Sequence, residues 1–353
     1  MSELKEFLKD LISLPGLSGF EEPARQRIQS EWQPLVDELS VSRLGSLHGL
    51  KRGSGAEPRK RILLAGHMDA IGMMVTRIID GWLYFTEIGG IDPRILPGQQ
   101  VTVHGRRDLP AVVVQPPAHL LPAEFNPRQS VDAKYLLVDT GLLPEEVNQL
   151  VRVGDLISFA QPPLDLGGDA LAGHSLDNRA SVAVVTACLL KLQRVHHAWD
   201  VWAVATVQEE ITLAGAYTSP FDIRPDLAVA IDVTFAKGPG GPADYRTFPL
   251  GKGATIGWGV NIHPAFFRVL KETAERLDIP FQSEIMPAHS GTDAFAMQVV
   301  AEGVPCAVIG IPLRYMHTPV EMVSMKDIQR AGHLLAEFIA ALQPDFMDNL
   351  NWD

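Results

Sequence analysis

The feature that most narrows the folds open to this chain is a change of texture near residues 70 and 165. From about residue 166 onward, helical and β-type runs alternate. A helix over about 178–194 precedes the apolar run VWAVATV (Val201 to Val207), and LAVAIDV (Leu227 to Val233), GATIGW and PCAVIGI follow it. Helices are expected over about 264–277 and 293–302, with a short FQSEI strand between them and a closing helix over about 325–342. The runs are β-branched and apolar throughout, as strands covered on both faces are. Parallel strands need long crossover connections, and helices supply them. The pattern therefore predicts an α/β fold, a mostly parallel sheet flanked by helices on both faces.

The first 69 residues belong to the same body. Leu4, Phe7, Leu8, Leu11 and Ile12 recur at helical spacing, a second helix opens at SGFEEPARQRI, and RILLAG (Arg61 to Gly66) reads as a strand. Ser18 and Glu21 stand at capping-box spacing before that second helix. Residues 70–165 differ, because they hold only short β-type runs (MMVTRII, WLYFT, QVTVHG, AVVVQ, DLISFA), a proline-rich PPAHLLPAEFNP and one helical candidate, PEEVNQL. Asp80-Gly81 between the first two runs is a type I′ hairpin signal. The expected organisation is thus an α/β domain from residues 1–69 and 166–353, with a small all-β domain inserted over 70–165. GPGGPAD (Gly238 to Asp244) is a loop candidate.

Composition excludes several function classes. A formal charge of −12, from 30 basic and 42 acidic residues, disfavours a nucleic-acid or anionic-membrane surface, which would need clustered Lys and Arg. Small molecules or short peptides are better partners for such a surface. Only Cys188 and Cys306 are present, each inside an apolar run, so neither a disulfide framework nor a thiolate metal cluster is expected. The amphipathic N-terminus lacks the long apolar core of a signal peptide, and no run approaches the length of a membrane span, which points to the cytoplasm.

In open α/β sheets, ligands bind beyond the carboxyl ends of the strands. His67 and Asp69 (AGHMDAIG) lie just past RILLAG; Glu209 and Glu210 (TVQEEITLAG) end VWAVATV; Asp232 terminates LAVAI; His317 (RYMHTPVEM) follows PCAVIGI; Asp177 (HSLDNRAS) sits where a helix begins. Taken singly, each has an ordinary structural explanation: a loop histidine, a helix N-cap at Asp177, a solvated acidic turn at Glu209 and Glu210. Together they fall at one edge of one sheet. Two histidines and four carboxylates without cysteine suit divalent ions such as Zn²⁺, Co²⁺ or Mn²⁺. One bridging carboxylate and two further ligands for each of two ions would use five groups and leave one glutamate free as a general base. An acid in the His-x-Asp position can take the imidazole N–H and fix which nitrogen faces an ion.

The motifs GHMDAIG, SLDNR, VQEEITLAGA, AIDVT, SGTDA and RYMHTPVEM, in that order, resemble those of the metal-dependent aminopeptidases that assemble as hollow tetrahedra, including glutamyl and deblocking aminopeptidases. The resemblance covers almost the whole chain. It implies two divalent metal ions per subunit, Zn²⁺ or Co²⁺ foremost, bridged by Asp177, with His67 and Asp232 completing one site and Glu210 and His317 the other. Glu209 would be the base acting on a water between the ions, and Asp69 the partner of His67. It further implies short peptide substrates and a homo-oligomer in which dimers build a twelve-subunit particle. The family's β-rich insert also falls between the His-x-Asp motif and the bridging aspartate. A two-metal deacylase or carboxypeptidase on the same core is the alternative enzyme, and a non-catalytic scaffold the alternative outside enzymes; no aromatic platform for a sugar lies near the motifs. The family commonly carries glutamate where this chain has Ala70, which removes no ligand. Ser290 or Thr292 is a sufficient cap for the helix after SGTDA. His174, His289, Arg314 and Tyr315 are pocket neighbours without an assigned role.

Overall fold

The computed structural model describes residues 2–117, 119, 132–239 and 246–350. Most of the GPGGPAD loop and of the proline-rich stretch beyond Pro117 lies outside the described residues. The chain opens with helices α1 (Ser2–Ile12) and α2 (Glu22–Trp32), then strands β1 (Glu38–Val41), β2 (Leu47–Lys51) and β3 (Arg61–His67). Six strands close into a barrel: β4 (Gly72–Ile79), β5 (Trp82–Ile88), β6 (Gln100–His104), β7 (Asp108–Val114), β8 (Leu137–Asp139) and β9 (Leu156–Phe159), with helix α3 (Pro144–Leu150) before the last. The chain returns through β10 (Leu164–Asp165), β11 (Ala170–Gly173), α4 (Leu176–Leu192), β12 (Asp200–Thr206), α5 (Glu209–Thr212) and α6 (Ala214–Ile223). It ends with β13 (Leu227–Phe235), β14 (Thr255–Gly259), α7 (Pro264–Arg276), β15 (Gln282–Met286), α8 (Asp293–Met297), β16 (Cys306–Arg314), β17 (Glu321–Ser324) and α9 (Met325–Ala341).

The large sheet runs β1-β2-β12-β3-β13-β16-β17-β11-β10, with β14 branching from β16 and β15 from β14. Its centre, β12-β3-β13-β16, is parallel as expected. Apart from the parallel β14-β15 branch, the flanking pairs are antiparallel, so the sheet as a whole is mixed. Successive side chains of a strand point to opposite faces. In β3, Ile62 and Leu64 enter the core beneath α4 and α9, whereas Leu63 and Ala65 enter a second core beneath α6 and α8. Both faces are therefore dry, which is why the central strands are continuously apolar. Helix α4 lies between the sheet and α1 and α9, and it is buried almost all round. Among the described residues no helix is long and apolar enough to cross a membrane. Cys188 and Cys306 are free and buried.

The barrel has its own core, in which Met73, Val75, Leu83, Val101, Val103, Val113, Val138 and Ile157 meet. Asp80 and Gly81 turn the first hairpin with φ of 50° and 83°, and Ile79 pairs with Trp82 across it. Both turn residues are left-handed, as a type I′ turn requires.

Two expectations are corrected. The helix expected to reach residue 302 ends at Met297. Ser18 and Glu21 do not form a capping box: Ser18 Oγ donates to Asp69 Oδ2 at 2.6 Å, and Glu21 Oε1 accepts the Gly19 N–H at 2.7 Å. Helix α2 has no side-chain cap bond at its N-cap, Glu21, because a buried carboxylate claims the serine.

The barrel departs from the sheet where Leu17 bridges Ala70, and Arg179 braces this junction. Its fully buried guanidinium donates to the carbonyl oxygens of Leu11 and Leu14, both at 2.6 Å, and of Met68 at 3.2 Å. Burial lowers its pKa to about 10, which still leaves it charged at neutral pH. Arg179→Met would leave the Leu14 and Met68 carbonyls without a donor and Leu11 with only the 3.3 Å Leu14 N–H. It is expected to lose about 2 kcal/mol or more of stability. Urea unfolding of the EDTA-treated proteins measures this, and coincident midpoints for variant and wild type would refute the brace.

Candidate metal centre

Beyond the carboxyl ends of β3, β12, β13 and β16 lies a pocket of about 530 Å³, lined in part by His67, Asp177, Glu209, Glu210, Asp232 and His317. His67 is the last residue of β3, Asp232 lies within β13, and His317 follows β16. Asp69 lies behind these groups, with none of its surface exposed. The structure thus brings all seven sequence-selected residues together.

The glutamate pair does not end a strand, as the sequence suggested. Strand β12 stops at Thr206, Gln208 turns the chain with φ of 57°, and Glu209 and Glu210 open helix α5. The first N–H groups of a helix lack partners inside it. Here Asp69 supplies them, accepting the Glu209 N–H on Oδ1 at 3.0 Å and the Glu210 N–H on Oδ2 at 3.2 Å. Asp177 is no N-cap either; it has extended backbone (φ −80°, ψ 103°) inside the first turn of α4.

Ser175, Gln208, Leu213, Tyr315 and His317 all have φ between 56° and 64°. Left-handed backbone costs a non-glycine residue about 1–3 kcal/mol, so the surroundings must hold it. Glu321 does this for His317, accepting its N–H on Oε1 at 3.0 Å while Oε2 accepts the Asp177 N–H at 3.0 Å. Glu21 accepts the Gln208 N–H at 3.2 Å.

The distances between polar tips suit shared ions. Asp177 Oδ1 is 3.3 Å from His67 Nε2, and Asp177 Oδ2 is 3.5 Å from His317 Nε2. Asp232 Oδ1 and Glu209 Oε2 lie 3.8 and 3.6 Å from His67 Nε2, and Glu210 Oε2 lies 3.4 Å from His317 Nε2. Ligands about 2.1 Å from a tetrahedral ion are separated by about 3.4 Å. Two sets offer ligand atoms within 4.8 Å of one another: His67, Glu209 and Asp232, and His67, Asp177 and Glu210. His67 Nδ1 faces Asp69, with Oδ1 at 3.4 Å and the backbone oxygen at 3.3 Å, so Nε2 is the nitrogen left for the pocket.

Electrostatics agree with a cation site. In the metal-free chain burial lifts Glu209 and Glu210 to about 8, opposed mainly by His67 for Glu209, while Asp177 adds to the rise at Glu210. Burial also raises Asp232 and Glu321 well above the usual carboxylate range. Asp177 moves the other way, to about 2, because hydrogen bonds from His317 and His67 outweigh its burial; the bond to Asp177 in turn raises His317 to about 9. Such a crowd of buried acids is costly unless positive charge meets it. The donor set, nitrogen and oxygen without sulfur, fits two borderline or hard divalent ions.

Glu21, Asp293 and Glu321 adjoin the centre, and the sequence reading gave none of them a part in it. Asp293 is buried and accepts Thr206 Oγ1 at 2.6 Å, and its other oxygen has no hydrogen-bond partner among the described residues. Its neighbour Thr292 caps α8 as expected, accepting the Ala294 N–H at 3.3 Å. Glu321 offered one visible signal, an acid between Val320 and Met322 at the start of a strand. His289 lines the pocket, whereas His174 and Ala70 line a separate cavity of about 320 Å³, and Arg314 and Tyr315 another recess.

A pH dependence follows from the raised acids. The folded metal-free chain keeps protons on Glu209 and Glu210 up to about pH 8, whereas unfolding returns them to the ordinary 4.5. The folded state binds more protons across that window, so stability falls as pH rises through it. In EDTA, the melting temperature should drop from pH 5 to 8.5, and saturating Co²⁺ should raise it most at the alkaline end. A melting temperature that Co²⁺ leaves unchanged at every pH would count against the site.

Sequence and structure comparisons agree with this geometry. The M42 glutamyl aminopeptidase family matches residues 45–334. The lysyl aminopeptidase of Pyrococcus furiosus is 35% identical over 96% of this chain and 97% of its own. A TET aminopeptidase from a marine-sediment Thaumarchaeota archaeon superposes with a TM-score of 0.93 at 30% identity, covering 99% of each chain. The TET1 peptidase of Pyrococcus horikoshii, described as assembling into a tetrahedron or a large octahedral shell, does so with a TM-score of 0.82 at 29% identity, over 96% of this chain and 100% of its own. The chain with this acid-rich, two-histidine centre belongs to the M42 family of metallopeptidases and is an aminopeptidase.

Proposed function

We propose that the chain releases single residues from the free N-termini of short peptides, with Asp177 shared between two divalent ions, His67 and Asp232 on one and Glu210 and His317 on the other. The observation that carries this reading is that the two oxygens of Asp177 face two different histidines, at 3.3 and 3.5 Å. Zn²⁺ or Co²⁺ are the ions proposed, with Mn²⁺ compatible. When bound, two such ions make a water more acidic and polarise a peptide carbonyl. Glu209 takes the proton of the attacking water and returns it to the leaving amine. Asp69 holds that glutamate in register through its backbone N–H and turns Nε2 of His67 toward the pocket. The surplus of carboxylates favours a substrate whose terminus is an ammonium group, which suits an aminopeptidase better than a carboxypeptidase.

A second assignment has one observation in its favour: Glu209 lies as near His67 and Asp232 as a ligand would. In that case Glu209 would hold an ion rather than move a proton.

We further propose that residues 70–165 form an assembly domain inserted between the catalytic segments 1–69 and 166–353. Ile79, Trp82, Leu143 and Val153 are exposed apolar side chains on this insert, and the tetrahedral assembly of a relative supports a twelve-subunit particle built from dimers. Light scattering at micromolar concentration should detect a particle far larger than 38.6 kDa. A monomer at all concentrations and metal levels would refute it.

The chemistry is tested with one peptide in free-amine and N-acetylated forms, using Co²⁺-loaded protein. The free form should be cleaved, and preference for the blocked form would favour a deacylase. Glu209→Gln should keep both ions while turnover falls by about 10²–10⁴-fold, and Glu210→Ala should lose bound metal together with activity. Metal analysis decides between the two readings of Glu209, since loss of an ion in Glu209→Gln would make it a ligand.

A further inference from the structure

Beyond the clustered acids, the same pocket is lined along β13 by Asp232, Val233, Thr234 and Phe235 and includes a further carboxylate, Glu284, on the edge strand β15. Thr234 follows Asp232 by two residues on the same face of β13, about 7 Å along the strand. Thr234 Oγ1 donates to Glu284 Oε1 at 2.7 Å, and Thr255 Oγ1 donates to Glu284 Oε2 at 2.6 Å. The side chain reaches them across two strands because no Cβ stands in its way: a Cβ on Gly310 would lie 2.2 Å from Thr255 Oγ1 and 3.0 Å from Glu284 Oε2. Both carboxylate oxygens are thus fixed, yet each has taken only one hydroxyl donor. An ionised carboxylate has about four acceptor positions. Among the described residues no Lys, Arg or His makes an ion pair with Glu284, and burial raises its pKa with only the two hydroxyls opposing. The walls leading to it include Met286, Phe295 and Val308.

A pocket lined by the acid cluster, by Met286, Phe295 and Val308 and by the unpaired Glu284 offers a channel for a long aliphatic stem with a cationic tip. Lysine is such a side chain, a flexible four-carbon stem bearing an ammonium, and arginine carries its guanidinium on a similar stem. We infer that Glu284, oriented by Thr234 and Thr255, is the floor of the subsite for the N-terminal side chain and selects peptides beginning with a basic residue while excluding those beginning with an acidic one. This rests on the aminopeptidase reading above. An acidic side chain in the same channel would meet like charge at its end, and leucine would fill the walls without pairing the acid.

The test compares lysyl, arginyl, leucyl and glutamyl p-nitroanilides on Co²⁺-loaded wild type and on Glu284→Gln, with calorimetric binding of free lysine, leucine and glutamate beside it. Wild type should cleave the basic substrates in preference to leucyl and show the lowest kcat/KM for glutamyl. In Glu284→Gln the lysyl-to-leucyl ratio of kcat/KM should fall by about 10–100-fold, the range expected for a charged hydrogen bond, with leucyl turnover within a few-fold of wild type. A wild-type profile in which glutamyl or leucyl substrates match lysyl overturns the assignment, whatever the variant does, while leaving the aminopeptidase reading intact. Should none of the four be cleaved, that reading falls instead, and the calorimetry still decides for Glu284: tighter lysine than leucine or glutamate upholds the subsite, and equal binding ends it.

Discussion

Asp69 is the point on which the arrangement of the centre depends. With no exposed surface, it accepts the Ser18 hydroxyl and the N–H groups of Glu209 and Glu210, and it faces Nδ1 of His67. Burial opposes its ionisation, but the histidine and the other donors overcome this and keep its pKa below the ordinary value. A neutral amide at that position could not accept so many donors on two oxygens. One anion therefore joins the N-terminal loop, the end of β3 and the start of α5, and fixes two acids whose own charges would drive them apart.

Glu321 repeats the device on the far side of the pocket, where it ties the backbones of Asp177 and His317. Neither carboxylate needs to touch a substrate to matter, because each settles where other polar groups stand. An acid-rich shell thus surrounds an acid-rich pocket; protons relieve the repulsion in the metal-free chain, and bound divalent cations would do so in their place. Two of the left-handed residues around the rim are the backbone counterpart: Gln208 and His317, in conformations disfavoured by themselves, are held by Glu21 and Glu321.

The sequence revealed most of the centre because an apolar run followed by an acid or a histidine is conspicuous where a buried strand opens onto a site. His67, Glu209, Glu210 and Asp232 carried that signature, and the barrel announced itself through short runs and an Asp-Gly turn. Glu21, Asp293 and Glu321 were less legible, since their partners are backbone N–H groups or a hydroxyl that leave no pattern in the sequence, and the single acid between Val320 and Met322 is a faint signal. Ser18 and Glu21 show the reverse failure: their spacing is right for a capping box, but Asp69 offers Ser18 a stronger acceptor than a helix end does. The antiparallel flanks escaped notice because β10, β11 and β17 have two to four residues each, too few for any periodicity. For the same reason the four-residue helix EEIT was hidden inside what looked like a strand end.

The contacts that assemble the centre span long stretches of chain: 51 residues separate Ser18 from Asp69, 140 separate Asp69 from Glu209, and 144 separate Asp177 from Glu321. During synthesis the N-terminal loop, β3 and the barrel leave the ribosome long before the residues that complete the pocket. Until Glu321 has emerged, neither Asp177 nor His317 has the acceptor that holds its backbone. A pocket built in this order is complete only once the strand that carries Glu321 has joined the ends of β3 and β12.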